Sequence, residues 1–393
     1  MKTKVIIIGG GPTGLMCASH LAKVGDYDIH IFDAQKTVGR KLLVAGHGGF
    51  NLTHSEPIEQ MITRYHNLSD WFKDAIIGFN NQAVIQFLEK EIGIPTYIGS
   101  SKRVFPEKGI TPASVLKRWI AKLEYHGVQF HTNKKMIDFD QEKVIFEDGT
   151  ERKFDALFLA FGGISWSKTG SDGNWIDLLR DKEISLQPFT ASNVGVNVDW
   201  PKSISTKYDR QSIKYVAIKV GLFSLKGDIM LTEYGLEGTP IYAASNALKQ
   251  NQILHIDFKP NNDISSILKK LDKTDKSISQ VLKKDLKLDQ IVIDLIKAYS
   301  SKEAFQDKMS LVQLIKNFPL VVNDLQDIEV AISSAGGIEW SNLNDNSSLK
   351  KFNNIFLGGE MLEWDAPTGG YLLQACFSSG AFAAKNIHAQ LEH

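Results

Sequence analysis

The sequence predicts an α/β protein in which a Rossmann-type dinucleotide-binding domain is discontinuous, interrupted by a β-rich and a helical insertion. Three observations predict it. A strand, a glycine turn, a helix and a second strand follow one another in register at the start of the chain. In the middle, apolar residues first alternate and then recur at helical spacing. At the end, a glycine-marked strand and helix complete the opening domain.

The opening segment MKTKVIIIGGGPTGL reads as a buried strand, Val5 to Ile8, running into Gly9, Gly11 and Gly14 at G-x-G-x-x-G spacing. A helix through Leu15, Ala18, Leu21 and Ala22 follows. Gly9 serves the tight turn, Gly11 the approach of a pyrophosphate to the backbone, and Gly14 the close packing of helix on strand. Free N–H groups and the dipole at the helix start, by Pro12 and Thr13, hold phosphate without a charged side chain. Asp33, with Ala34 after it, follows the second strand, IHIF, about 19 residues beyond Gly14, where a carboxylate can accept the ribose hydroxyls of an adenosine.

Next comes GRKLLVAGHGGFNLTH, residues Gly39 to His54, too rich in glycine for a helix and too irregular for a strand, so it is expected to be a ligand-holding loop. One helical stretch then includes Val84, Phe87 and Leu88, and a second, opened by Thr111 and Pro112, includes Val115, Leu116, Trp119 and Leu123. Short strands follow: VQFH returns to the parallel sheet, MIDFD and KVIFEDG form a meander, and DALFLAFGG ends at Gly162 and Gly163 after Ala160. From about Phe189 strands alternate without helical periodicity, and from Asp263 to Phe318 apolar residues recur at i, i+3, i+4 with lysine-rich outer faces. The expected domains are 1–188, first part of the nucleotide domain; 189–262, β-rich; 263–318, helical; 319–332, a return to the β-rich domain; and 333–390, second part of the nucleotide domain. Residues 391–393 resemble a tag remnant and are set outside the fold.

Composition narrows the function classes. At 393 residues the chain exceeds one ordinary core. Lys plus Arg equals Asp plus Glu at 45 each, which gives no basic surplus for nucleic acid or an anionic membrane. No apolar run approaches the ~20 residues of a membrane span, and a cytoplasmic location is expected. Cys17 and Cys376 sit apart in apolar stretches and read as buried small hydrophobes. No metal-ligand spacing and no nucleophile motif occurs.

The tail, IFLGGEMLEWDAPTGGYLLQACFSSG, points to a flavin rather than a nicotinamide. Its strand ends at Gly359 and Glu360, where a carboxylate either bonds a ribityl hydroxyl or caps a helix. Gly369, Gly370 and Tyr371 start a helix whose N–H groups would stabilise an anionic reduced flavin, and a side chain at Gly370 is expected to invade the ring's space.

The blocks GRKLLVAGHGGFNLTH, LAFGGISWSKTGSDG, EYGLEGTPI and GGEMLEWDAPTGGYLLQ resemble those of the three-domain bacterial flavoprotein family that includes aminoacetone oxidase and reductases of unsaturated bile-acid ketones. The resemblance implies non-covalent FAD, a β-barrel-like second domain and a helical third. It places FAD contacts on Gly9, Gly11, Thr13, Gly14, Asp33, Arg40, Lys41, Gly46, Asn51, Met136, Gly162, Gly359, Glu360, Gly370 and Tyr371, and the same turns add Pro12, Ala34, Ala160, Gly163 and Gly369. The chain departs from many relatives at Gly49, Phe50 and Leu372, which implies a different substrate pocket.

Arg40 and Lys41 read either as phosphate or flavin partners or as a solvated loop. His47 is either an active-site donor or a histidine satisfied by loop backbone. Trp166, Tyr234, Trp364 and Tyr371 either cage a small cationic substrate or simply pack. A single dinucleotide fingerprint and no paired cysteines favour oxygen as the electron acceptor. Together with the resemblance this leads to an expected oxidase of a small primary amine such as aminoacetone, giving a 2-oxoaldehyde, ammonia and hydrogen peroxide. An NAD(P)H-dependent reductase of unsaturated ketones and a flavin-binding module without turnover are the alternatives. Oligomeric state is not legible.

Overall fold

A computed structural model describes residues 2–44, 49–272 and 277–392. The chain forms two compact units, residues 1–190 with 332–393, and residues 191–331.

The first unit is built on a five-stranded sheet in the order Ile355–Leu357, Ala156–Leu159, Lys4–Ile8, Asp28–Phe32, Gln129–His131. All four pairings are parallel, with Ile7 opposite both Phe158 and Ile31. Because both faces are covered, the central strands are near-continuous apolar runs; Val5, Ile6, Ile7, Leu157 and Phe158 are fully buried. The first helix, Pro12–Val24, starts on proline behind Gly11 and buries Leu15, Met16, Ala18 and Leu21. The last helix, Tyr371–Leu391, lies against it so closely that a Cβ on Gly380 would collide with the Thr13 carbonyl oxygen. Leu391, excluded from the fold by the sequence reading, closes that helix and packs on the core.

The sequence pattern is incomplete elsewhere in this unit. Arg40–Val44, expected within a loop, is a short helix, and Ile58–Ile62 and Asp70–Gly78 are helices with too few turns to show a period. Ser69 caps the last of these, its Oγ accepting the Phe72 N–H at 3.3 Å. Helix Pro112–Tyr125 forms where expected, capped by Thr111. A three-stranded antiparallel meander, Met136–Phe139, Lys143–Phe146 and Glu151–Lys153, carries Met136.

The second unit corrects the expected division into a β-rich and a helical domain. It has a seven-stranded antiparallel sheet whose edges, Phe318–Val321 and Asp324–Leu325, are joined by only Val322 and Asn323. So short a link brings the edges together, and the sheet curls into a barrel-like shape. The helices Ile264–Asp272, Gln290–Ala298 and Lys308–Lys316 share one core with it: Ile267, Ile291 and Leu311 cluster with Val216, Ile218 and Leu254. Each amphipathic helix is too short to bury its apolar face alone, so the 263–318 segment completes the sheet's core instead of forming its own. Three short helices, Lys202–Tyr208, Thr239–Ala243 and Ser245–Gln250, interrupt the stretch that shows only strand alternation in sequence.

Among the described residues, no helix is long and apolar enough to cross a membrane, and no cluster of three or more His, Cys, Asp or Glu side chains is arranged to hold a metal ion.

Candidate cofactor cavity

A cavity of about 430 Å³ opens in the first unit at the carboxyl ends of the parallel strands, the position at which open α/β sheets take their ligands. The glycine turn forms its floor. Gly9 donates its N–H to the Phe32 carbonyl at 2.8 Å, and a Cβ there would lie 2.9 Å from the Ala160 carbonyl carbon. A Cβ on Gly14 would collide with the Gly9 carbonyl oxygen. A Cβ on Gly11, by contrast, would have no atom within 4 Å: its outward space is the cavity itself. No acidic residue occupies the helix's first turn, so its N-terminal N–H groups and dipole present positive potential to that space.

Asp33 marks one side. Its Oδ2 accepts the Gly10 N–H at 3.0 Å and its Oδ1 the Gln35 N–H at 2.8 Å. Burial raises its pKa above the usual aspartate value, with the two N–H bonds and the nearby Arg40 pulling the other way. Arg40 lines the cavity and donates to Gln35 Oε1 at 2.7 Å, which places its guanidinium beside Asp33 rather than in bulk solvent. Ala34 and Met136 line the same side, brought there by Lys134, whose N–H bonds the Asp33 carbonyl at 2.9 Å.

On the tail side, Lys41, Glu360, Thr13 and Cys376 line the wall. Lys41 Nζ lies 2.8 Å from Glu360 Oε2 and donates to Ser165 Oγ at 2.8 Å. Burial pushes the Cys376 thiol up to about 12, so it is a neutral wall group.

Of the sequence-derived cofactor residues, the fold brings Gly9, Gly11, Pro12, Thr13, Asp33, Ala34, Arg40, Lys41, Met136, Ala160, Gly162 and Glu360 to this cavity. Gly14 supports it from behind. Asn51, Gly163, Gly359, Gly369, Gly370 and Tyr371 are not among its lining residues. Gly46 and His47 lie outside the described residues. Gly370 caps the last helix at φ +103°, and a Cβ there would sit 2.5 Å from the Thr53 carbonyl oxygen, so its missing side chain makes room for backbone and not, as expected, for a cofactor ring.

Two of the four rings expected to cage a substrate, Trp364 and Tyr371, are packed within the first unit. Trp364 is 3% exposed, donates its indole N–H to the Gly359 carbonyl at 2.9 Å and packs on Phe72 and Tyr65, so it is a core residue. Tyr371 is buried, its hydroxyl donating to Glu56 Oε1 at 2.6 Å while His54 stacks on its ring. Trp166 stands 38% exposed with a left-handed backbone, and Tyr234 lies in the second unit, its hydroxyl donating to Glu237.

Sequence reasoning missed Gln35, Ser171, Asp172 and Cys376 on the cavity wall, and Glu56 and Arg64 beside Tyr371. For Ser171 and Asp172 a signal was present: they sit in the glycine-rich stretch that follows the sheet strand Ala156–Leu159, where ligand-binding loops occur. Glu56 carries none, because its partner is 315 residues away.

A parallel five-stranded sheet with this glycine floor and this acid defines a Rossmann-type dinucleotide-binding protein. The chain belongs to the HI0933-like protein Rossmann domain family, which it matches over residues 3–386. It is 23% identical over 408 residues to the 3-dehydro-bile acid delta(4,6)-reductase of Clostridium scindens, covering 97% of this chain and 98% of that enzyme. It is 22% identical over 406 residues to the ribosomal RNA dihydrouridine synthase of Haemophilus influenzae, covering 98% of each. In fold it is similar to the open conformation of a flavocytochrome c3 fumarate reductase, with a TM-score of 0.51, 15% identity, and coverage of 98% of this chain and 78% of that one.

Proposed function

We propose that this protein binds FAD in the cavity of its first unit and reduces a carbon–carbon double bond conjugated to a carbonyl. The observation that carries the reading is full-length similarity to two enzymes whose names share this chemistry, a delta(4,6)-reductase of a 3-dehydro bile acid and a synthase of dihydrouridine. The cavity fits the cofactor: Gly11 leaves open space above a helix N-terminus for a pyrophosphate, and Asp33 is a half-buried carboxylate on the cavity wall just past the second strand, where it can accept from an adenosine ribose.

Bound FAD supplies the hydride, drawn from NAD(P)H. The residues of the chain do the rest. Asp33 holds the ribose and is itself held by Gly10 and Gln35. The first turn of the first helix holds the phosphates, and Arg40 adds a cation beside Asp33. Lys41 and Glu360 line the wall toward the tail. The balanced charge of the chain favours a small enone over a large RNA surface as the substrate.

The amine-oxidase expectation makes the opposite prediction in the same experiment. FAD-loaded protein is mixed anaerobically with NADPH or with aminoacetone, and the flavin absorbance is followed. The proposal expects bleaching by NADPH and recovery on adding a conjugated cyclic enone. Bleaching by aminoacetone alone, with hydrogen peroxide released on admitting air, would replace it with the oxidase; no bleaching by either donor would leave a binding module.

A further inference from the structure

Three other segments of the first unit converge on Lys41. Its ammonium lies 2.8 Å from Glu360 Oε2 and 2.8 Å from the hydroxyl of the fully buried Ser165. The other oxygen of Glu360 accepts the Ser334 N–H at 3.1 Å, and Ser334 Oγ accepts the Ile164 N–H at 3.0 Å. The knot is tight: a Cβ on Gly163 would lie 2.9 Å from Glu360 Cδ. An ammonium and a carboxylate are thereby fixed side by side on the cavity wall, both largely withdrawn from water. A pair so placed contributes little net stability, because desolvation offsets most of the attraction. Its position on a cofactor wall gives it a chemical use instead.

Resting on the FAD reading above, we infer that Lys41 is the cation that sets how readily the bound flavin accepts electrons, and that Glu360 sets how much of that charge the flavin feels. Reduction at neutral pH adds negative charge to the ring system. A fixed cation favours the reduced form and a fixed carboxylate disfavours it, and both act more strongly in a half-buried site than in water. Of the other cationic or ionisable groups on the wall, Lys134 is paired with Asp148 and Lys135 with Glu147. Arg40 is drawn to Gln35 beside Asp33, and Cys376, on the same wall as Lys41, is neutral. Glu360, Ser165 and Ser334 act as positioning residues: they hold the ammonium in place and temper it.

The test reads the flavin itself in the FAD-loaded full-length protein. Two quantities are measured: the midpoint potential by anaerobic dye equilibration, and the affinity for sulfite, which adds to oxidised flavin and leaves negative charge on the ring. Lys41→Met should shift the potential negative and weaken sulfite binding at least about tenfold, the size of a partly screened unit charge at a few ångströms. Glu360→Gln should move both quantities in the opposite direction, and Lys41→Arg should return them toward wild type. A merely structural tie predicts loss of FAD or of stability in both variants, with unchanged potential in whatever flavin stays bound. Shifts of the same sign, or none, overturn the inference and leave the FAD reading standing. If Lys41→Met does not fold, Glu360→Gln decides alone, since its potential must rise. Wild-type protein that takes up no FAD on reconstitution overturns both.

Discussion

Gly370→Ala adds a single methyl group at the entrance to the last helix, and the structure locates its cost. Gly370 has φ +103° and ψ −8°, a conformation L-residues rarely adopt, and forcing alanine into it costs about 1–3 kcal/mol. The added Cβ would lie 2.5 Å from the Thr53 oxygen and 2.6 Å from its Cα, and relieving such overpacking costs a further ~1–3 kcal/mol. Thr53 has little freedom to retreat, since it is fully buried in a short strand paired with Arg103–Pro106, and its hydroxyl donates to Gln374 at 2.6 Å. A destabilisation of roughly 2–6 kcal/mol is expected, a large share of the 5–15 kcal/mol that holds a typical domain together. Equilibrium urea unfolding followed by tryptophan fluorescence is the assay. Trp71, Trp119, Trp166, Trp175, Trp340 and Trp364 all report on the first unit. A mutant midpoint equal to wild type, at equal slope, would refute the contact with Thr53 and restore a cofactor-facing role for Gly370.

Two further outcomes follow from the same geometry. Asp33→Ala removes the proposed ribose acceptor and also releases the Gly10 and Gln35 N–H groups, so FAD affinity measured by reconstitution titration should fall by about 1.5–3 kcal/mol; an unchanged affinity would take Asp33 out of the site. Burial alone would raise the pKa of Glu56, but hydrogen bonds from Arg64 and Tyr371 outweigh it and hold the carboxyl below the ordinary value of 4.5. Its folded pKa being depressed, Glu56 contributes stability above about pH 4.5 that is lost as pH falls through the folded value. Glu56→Gln should therefore cost about 1–3 kcal/mol at pH 7, discounted because Arg64 is half exposed, and less at pH 3.5; a gap independent of pH contradicts the assignment.

The glycine floor and Asp33 were legible in the sequence because every step that makes them is local: a strand, a turn that excludes side chains, and a helix start lie within residues 4–24, with the acid just beyond the second strand. The parallel sheet was legible for the same reason, its central strands Lys4–Ile8 and Ala156–Leu159 being apolar runs bounded by turn residues. Three things were not. The sharing of one core by the 189–262 and 263–318 segments depends on which apolar faces meet, and periodicity records that a face exists without naming its partner. The true surroundings of Trp364 and Tyr371 depend on residues brought from afar, Phe72 for the first and Glu56 for the second. The pairing of Lys41 with Glu360 spans 319 residues and exists only because the tail strand enters the sheet beside Ala156–Leu159. Local backbone chemistry determined the glycine floor and Asp33 of the cavity; long-range packing decided that Lys41 and Glu360 meet on its far wall, because side-chain electrostatics act through space and not along the chain.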